Sequence, residues 1–512
     1  MSVSFIDSAV FVCFIAIVVG FSMYKSRREQ TGEDYFLAGR GLTWWLIGFS
    51  LIAANISTEQ FVGMNGSAAG NVGLAIASYD WMAAITLVVV ALFILPRFLK
   101  SGIYTIPEFL EYRYSPTARA IMAFYTMVIY IGVTISAVLY SGGLTIHTIF
   151  GMDLTAAVWL IGTIAALYTA WGGLKAVAWA DLLQGSALIA GGLVVTVIAF
   201  GVLDDPAALF TEQRTKMHMF LPADHPELPW TALVFGLWIP NFYYWGLNQY
   251  IAQRTLAARS IRDGQLGVLL AACMQVMLPL IIVVPGIIAA HLYGDSLTGT
   301  ADAAYPLLIR NLVPAGLRGF IFAALSGAVI SSLASMLNSA STIFTMDLYR
   351  RQVNPDASQR TLIATGRVTT VLFVVIGCVI APKLGDPRFR GIFHYIQDFQ
   401  GYISPGILAA FVFGLFVKRA PNAAGVTALL LNVPVYGALH LRMFDHVAFL
   451  NKMAITFAAI IATMTVITIL KPLSSPVVLP SREDFETRTS RPVAILGAAI
   501  VAVTVALYIV FR

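Results

Sequence analysis

The most chemically loaded stretch of the chain is SLIAANISTEQFVGMNG, residues 50–66, where Asn55, Ser57, Thr58, Glu59 and Gln60 crowd into six positions. Amides and carboxylates there can take the vicinal hydroxyls of a sugar as paired donors and acceptors. A second set lies in AALSGAVISSLASMLNSASTIF, where Ala328, Ser331, Ser332 and Ser335 stand at i, i+3, i+4 and i+7, one helical face. Hydroxyls beside an exposed carbonyl can hold a small hard cation through oxygen. Small residues on one face equally permit close helix packing. Asp80 in SYDWM, Asp181 in AWADLLQ, and Gln397 with Asp398 in HYIQDFQGYISPG complete the polar candidates. Asp181 falls near the end of its apolar run, where a solvated position would also suit it, and Gln397 could serve as a helix–helix hydrogen bond. The seven His are scattered without an HExxH pattern, and no nucleophile–base pair or cofactor motif appears, which argues against an enzyme. The three Cys all lie in apolar runs and read as packing thiols.

The elements that must position these residues are membrane helices. Of 512 residues 58% are hydrophobic and only 11% charged, about half the charge of a soluble chain. Fourteen apolar runs of bilayer length, from 4–24 to 491–511, are separated by short polar loops, so the expected class is an all-α polytopic membrane protein. Sorting the 32 Lys and Arg by alternate loops puts 22 on one side and 10 on the other. The richer side takes KSRR, Arg97 with Lys100, Arg254 with Arg259 and Arg262, and Arg350 with Arg351. The positive-inside rule makes that side cytoplasmic and places both termini outside. The net charge of +6 then reports topology and anionic headgroups, with no nucleic acid implied. The first run lacks a basic n-region and a small-x-small cleavage site, and reads as a retained anchor.

Two runs look interrupted. In 43–66 the AANIS segment puts small and amide residues at mid-span, and Gly63, Gly66 and Gly70 weaken the helix beyond it. In 229–249 the stretch GLWIPNFYYWGLNQY carries Pro240, which lacks a backbone donor, beside Asn241 and Gly246. These runs are five apart, and an odd number of spans inverts the second unit against the first. That is the pattern of an inverted-repeat transporter with its site at the midplane, although Pro240 equally suits an ordinary kink. No Lys or Arg lies mid-span in runs 2, 3, 4, 7 or 11, so an anionic substrate lacks a counter-charge. A neutral polyhydroxylated solute fits best, with an aromatic face covering its C–H side.

Five motifs in order, DYFLAGRGLTWWLIGFSLIAANISTEQFVGM, GIYTIPEFLEYRY, YTAWGGLKAVAWADLLQ, NFYYWGLNQYIAQRTLAA and ISSLASMLNSASTIFTMDLY, resemble the sodium/solute symporter family, in its sodium/glucose cotransporter branch. The resemblance runs from about residue 5 to about residue 420. It implies inverted five-helix repeats with two broken helices, divided as an N-terminal helix in 1–30, repeats in 43–202 and 229–417, and three peripheral helices in 422–512. It implies a Na⁺ site of carbonyls at Ala53, Ile56 and Ala328 with the hydroxyls of Ser331 and Ser332. Asp181 and Ser335 match part of a second sodium position of some relatives, but Ala334 replaces a hydroxyl there. One Na⁺ is therefore expected, with Asp181 and Ser335 on its path. Gln60, Asn241 and Gln397 match sugar-bonding positions, Tyr244 matches the aromatic that caps the sugar, and Trp245 neighbours it. Asp80 stands where bacterial galactose-transporting members carry Glu, Thr134 replaces an Asn, Gln275 a Lys, and Ala83 a Ser, which suggests a different pyranose or a polyol. The function implied is Na⁺-coupled uptake of a small neutral sugar by alternating access across a cell membrane, plasma or bacterial inner. Symport of inositol and passive uniport on the same scaffold are the alternatives. Beyond Na⁺, the solute and the lipid bilayer, no obligate protein partner is evident.

Overall fold

The computed structural model describes residues 4–26, 31–297, 301–385, 392–480 and 489–512. Arg27 and Arg28 of KSRR, and residues 390–391 of the eleventh expected span, lie outside them. The described residues are helical, with isolated bridges but no strand. Fourteen passages run in chain order: α1 (Phe5–Lys25), α2 (Trp44–Asn55, resumed over 59–69), α3 (Gly73–Ser101), α4 (Pro116–His147), α5 and α6 (154–172 and 174–201), α7 (232–247, resumed as Gln249–Leu256), α8 (Ile261–Tyr293), α9 (Leu317–Val353), α10 (Gln359–Leu384), α11 (Ile392–Gln400, resumed as Ser404–Phe416), α12 (Asn422–Ala438), α13 (Phe449–Leu470) and α14 (Arg491–Val510).

Each interruption has a local cause. Helix α5 turns into α6 at Gly173, whose φ of 51° and ψ of −147° exclude an ordinary side chain. A Cβ there would also sit 2.1 Å from the carbonyl oxygen of Tyr35. Helix α11 stops at Gln400 and restarts at Ser404; Asn432 of α12 clamps the bend, donating to Gly401 O at 3.1 Å and accepting from the Gly406 amide at 2.8 Å. Cys378 is buried as expected of a packing thiol, Cys273 is half-buried, and Cys13 is exposed on the outer face of α1.

Helix α9 is the axis of the bundle. Nearly every residue from Gly319 to Ile343 is buried, its serines and Asn338 included. It packs along α5–α6 and against α1. Its N-terminus is capped from α1: the Asp7 carboxylate accepts from the Gly316 amide at 2.8 Å and the Gly319 amide at 2.9 Å. Asp7→Ala leaves these buried donors unpaired and should cost about 1–2 kcal/mol, read as a lowered thermal midpoint in detergent with Asp7→Asn intermediate.

At the other end of α9, Asp347 accepts from Arg119 at 2.6 Å and from Thr105 at 2.7 Å, and Arg119 also reaches Glu111 at 2.9 Å. Burial raises the Glu111 pKa, but hydrogen bonds from Arg119 and Arg351 outweigh it and hold the carboxyl below its ordinary value. This network ties the end of α9 to α4 and to the short helix Ile106–Arg113.

Candidate functional site

The two breaks have the same backbone shape. Helix α2 stops because Ile56 adopts φ −77°, ψ 121°, and α7 stops because Asn248 adopts φ −77°, ψ 123°. The first falls inside the AANIS segment that the sequence marks. The second falls inside the stretch GLWIPNFYYWGLNQY that the sequence marks, eight residues beyond Pro240. Pro240 lies in the helical turn Trp238–Phe242, which runs on past it, just after a π-turn over Ala232–Gly236 in which the Leu237 amide reaches back to Ala232 O. The break at Asn248 is held instead by Tyr130 of α4. Its hydroxyl donates to the Asn248 side chain and accepts from the Tyr250 amide at 3.2 Å. Gly63 and Gly66 do not interrupt α2, which continues as a π-turn over Glu59–Met64 and an α-helical turn to Ala69, where Gly70 ends it.

A helix that stops at Asn55 leaves its last carbonyls without amide partners. Those of Ala53 and Ala54 turn to α9. Ser331 Oγ lies 3.4 Å from Ala53 O, and Ser332 Oγ donates to Ala54 O at 3.2 Å. Ile56 is the extended residue of the break, and Ala328 lies one turn before Ser331 on α9; both are buried. The structure thus brings the five residues of the expected cation site to the junction of α2 and α9 and adds Ala54 to them. The donors gathered here are neutral oxygens from main chain and hydroxyls, a set suited to a hard cation and unsuited to a thiophilic metal. Among the described residues no cluster of three His, Cys, Asp or Glu could hold another metal.

Beside this junction opens a polar cavity. All eight expected substrate residues line it: Gln60, Asp80, Thr134, Asn241, Tyr244, Trp245, Gln275 and Gln397. Ala83, buried on α3, is not among its lining residues. Gln275 donates to Asp80 Oδ1 at 3.2 Å, and the Asn241 amide is turned back onto Leu237 O at 3.0 Å. Four buried acceptors remain unpaired: Gln60 Oε1, Asp80 Oδ2, Gln275 Oε1 and Gln397 Oε1. They call for hydroxyl donors, because an orphaned buried acceptor is costly. Tyr244 packs edge-on against Trp245, with ring centroids 5.1 Å apart, and against Tyr250 at 5.6 Å. Glu59 also faces the cavity, and among the described residues no Lys or Arg does. Residues that the sequence did not single out also line it, namely Tyr79, Tyr250, Met336 and Gln400. Ala54 and Ser332 belong both to this wall and to the cation junction.

Behind the junction lies an ion pair that corrects the loop count. Arg254, expected among cytoplasmic loop charges, is wholly buried and pairs with the equally buried Asp181 at 3.0 Å. Removing it from the tally does not reverse the charge asymmetry. Asp181 is therefore unsolvated. Its carboxylate also accepts from Ser331 at 2.5 Å and from Ser50. The guanidinium further bonds Ser335, Ser50 at 2.6 Å and Tyr250 O. Both residues expected along the sodium path, Asp181 and Ser335, are thus held by one cationic side chain.

Broken helices that meet over a polar midplane cavity define the class of secondary transporters. The sodium:solute symporter family model matches residues 35–431, and the chain belongs to that family. It is 41% identical to a sodium/glucose cotransporter of Vibrio parahaemolyticus, over 91% of this chain and 90% of that protein. It is 35% identical to YidK, an uncharacterized symporter of Escherichia coli K12, over 97% of this chain and 90% of that one. Its fold is shared with a Na⁺-coupled sialic acid symporter solved in a substrate-bound outward-open state, at TM-score 0.82 and 22% identity, covering 93% of this chain and 99% of the other.

Proposed function

We infer that this multi-pass membrane protein couples inward movement of Na⁺ to uptake of a neutral sugar or polyol by alternating access. The observation that carries the reading is the shared wall: Ala54 and Ser332 serve the cation junction and the sugar cavity at once. A cation drawn between the carbonyls of α2 and the hydroxyls of α9 fixes the two helices together. It thereby sets the cavity wall on which Gln60 of α2 and Met336 of α9 stand, so each ligand favours the arrangement the other needs. Sugar hydroxyls meet the four open acceptors, and Tyr244 closes the cavity on its cytoplasmic side. A unit charge moving down 100 mV supplies about 2.3 kcal/mol, enough for a sugar gradient of roughly 50-fold. The named functions of the Vibrio relative, and the family as a whole, support this reading. The Lys and Arg asymmetry supports an orientation with both termini outside a plasma or bacterial inner membrane. The matched breaks at Ile56 and Asn248 support repeats near 43–202 and 229–417, with 422–512 peripheral. No step calls for a protein partner.

The test is labelled-sugar uptake into proteoliposomes from a panel of hexoses, pentoses and inositols. An inward Na⁺ gradient should drive accumulation above the external concentration. Flux that merely equilibrates, or is indifferent to Na⁺, identifies a uniporter. The cavity's charge makes a further prediction. With Glu59 and Asp80 on its wall and no base among the described lining residues, a carboxylated sugar pays desolvation without a counter-ion. A uronate should fail to compete with its parent hexose even at about 100-fold excess, a discrimination of at least about 2.7 kcal/mol.

A further inference from the structure

The cation junction and the Arg254 network are offset along the membrane in a consistent direction. Ser50 precedes Ala53 and Ala54 by about one turn of α2, and Ser335 follows Ser331 by one turn of α9. Arg254 lies six residues past the break of α7. All three displacements point to one face of the membrane. The start of α2 meets the loop bearing Arg259, since the Leu42 amide donates to Ala257 O at 3.0 Å and the Trp44 amide to Asp263 at 3.2 Å. Helix α9 runs toward Arg350 and Arg351 at its end. The guanidinium therefore sits about 6 Å, one helical turn, from the cation junction on the basic face. It fills the space between α2, α6 and α9 and occupies Asp181, a carboxylate already hydrogen-bonded to Ser331 of the junction.

We propose that Arg254 is a tethered cation gating the inner sodium path. While it pairs with Asp181, a Na⁺ leaving the junction finds no free carboxylate and meets a fixed positive charge. Exit requires the guanidinium to swing away from Ser335 and Asp181, a movement available when the half-helix Gln249–Leu256 shifts at the Asn248 break. After release the pair re-forms, neutralising Asp181 and discouraging return of the ion. The gate thereby suppresses Na⁺ slippage without sugar. An unshielded unit charge about 6 Å from a passing ion slows it about a hundredfold, and partial neutralisation by Asp181 reduces that to about tenfold.

The inference rests on the Na⁺-coupled reading, and the experiment separates the two. Sugar-free ²²Na⁺ leak is measured in proteoliposomes of wild type, Arg254→Gln, Arg254→Lys and Ser335→Ala, beside Na⁺-driven sugar uptake. Sugar-induced tryptophan fluorescence reports a folded site in each variant. Arg254→Gln should raise the leak about tenfold, Ser335→Ala about threefold, and Arg254→Lys should stay near wild type, because charge sets the barrier. A folded Arg254→Gln protein, or, if that variant does not fold, a folded Ser335→Ala protein, with a wild-type leak overturns the gate. So does an Arg254→Lys protein as leaky as Arg254→Gln. Wild type that shows no Na⁺-driven uptake overturns the coupled reading itself.

Discussion

Ser331→Ala should raise the Na⁺ concentration that half-saturates uptake by about 10- to 100-fold, measured at saturating sugar. Its hydroxyl reaches toward Ala53 O and is bound by Asp181 at 2.5 Å, so the serine proton goes to the carboxylate while its lone pairs face the junction. Removing the hydroxyl deletes one oxygen ligand and strips Asp181 of a partner. A hydrogen bond or ligand contact to a charged group is worth about 1.5–3 kcal/mol, which sets that range. Ser331 does not line the sugar cavity, so the sugar concentration for half-saturation at saturating Na⁺ should move less than about threefold, a change under about 1 kcal/mol. Ser331→Thr keeps the hydroxyl and should recover most of the loss. A variant that loses sugar and Na⁺ affinity equally under these conditions would place Ser331 in general packing and remove it from cation binding.

The mirror-image result is expected at Asp80. Its Oδ1 is engaged by Gln275, while Oδ2 is buried, unpaired and on the cavity wall. A sugar hydroxyl donating there makes a charge-assisted bond, and Asp80→Ala removes it and leaves the Gln275 amide unpartnered as well. Half-saturating sugar should rise about 10- to 150-fold at saturating Na⁺, with the Na⁺ dependence at saturating sugar little altered. Asp80→Asn keeps the shape but loses the charge assistance and should fall between. Equal transport by Asp80→Ala and wild type would mean that this corner of the cavity does not touch the solute.

Sequence reading reached the site residues better than the geometry that unites them. The eight polar and aromatic substrate positions taken from the resemblance line the cavity, because polar side chains at membrane depth face the bundle interior, whereas apolar Ala83 does not. The break in α2 was legible in the AANIS composition, although Ile56 itself carries no mark of its extended backbone. The break in α7 falls within the marked stretch 236–250, but Pro240 is the conspicuous residue there, while the break at Asn248 is held by a contact from Tyr130, over a hundred residues upstream. π-turns at Glu59–Met64, Tyr130–Ile135 and Tyr243–Leu247 shift side chains off a 3.6-residue period, and periodicity cannot foresee them. Arg254 looked like a loop charge because its half-helix is polar; only Asp181, 73 residues away, explains its burial.

The coupling claim has a thermodynamic signature that binding alone can read. If one wall serves both ligands, sugar must tighten Na⁺ by the same factor by which Na⁺ tightens sugar. ²²Na⁺ binding to purified protein, measured with and without the transported sugar, is compared with sugar binding with and without Na⁺. Two equal factors of about 5 or more, both collapsing toward 1 in Ser332→Ala, are the predicted result. Sodium binding that ignores the sugar would contradict it, whatever the uptake assays showed.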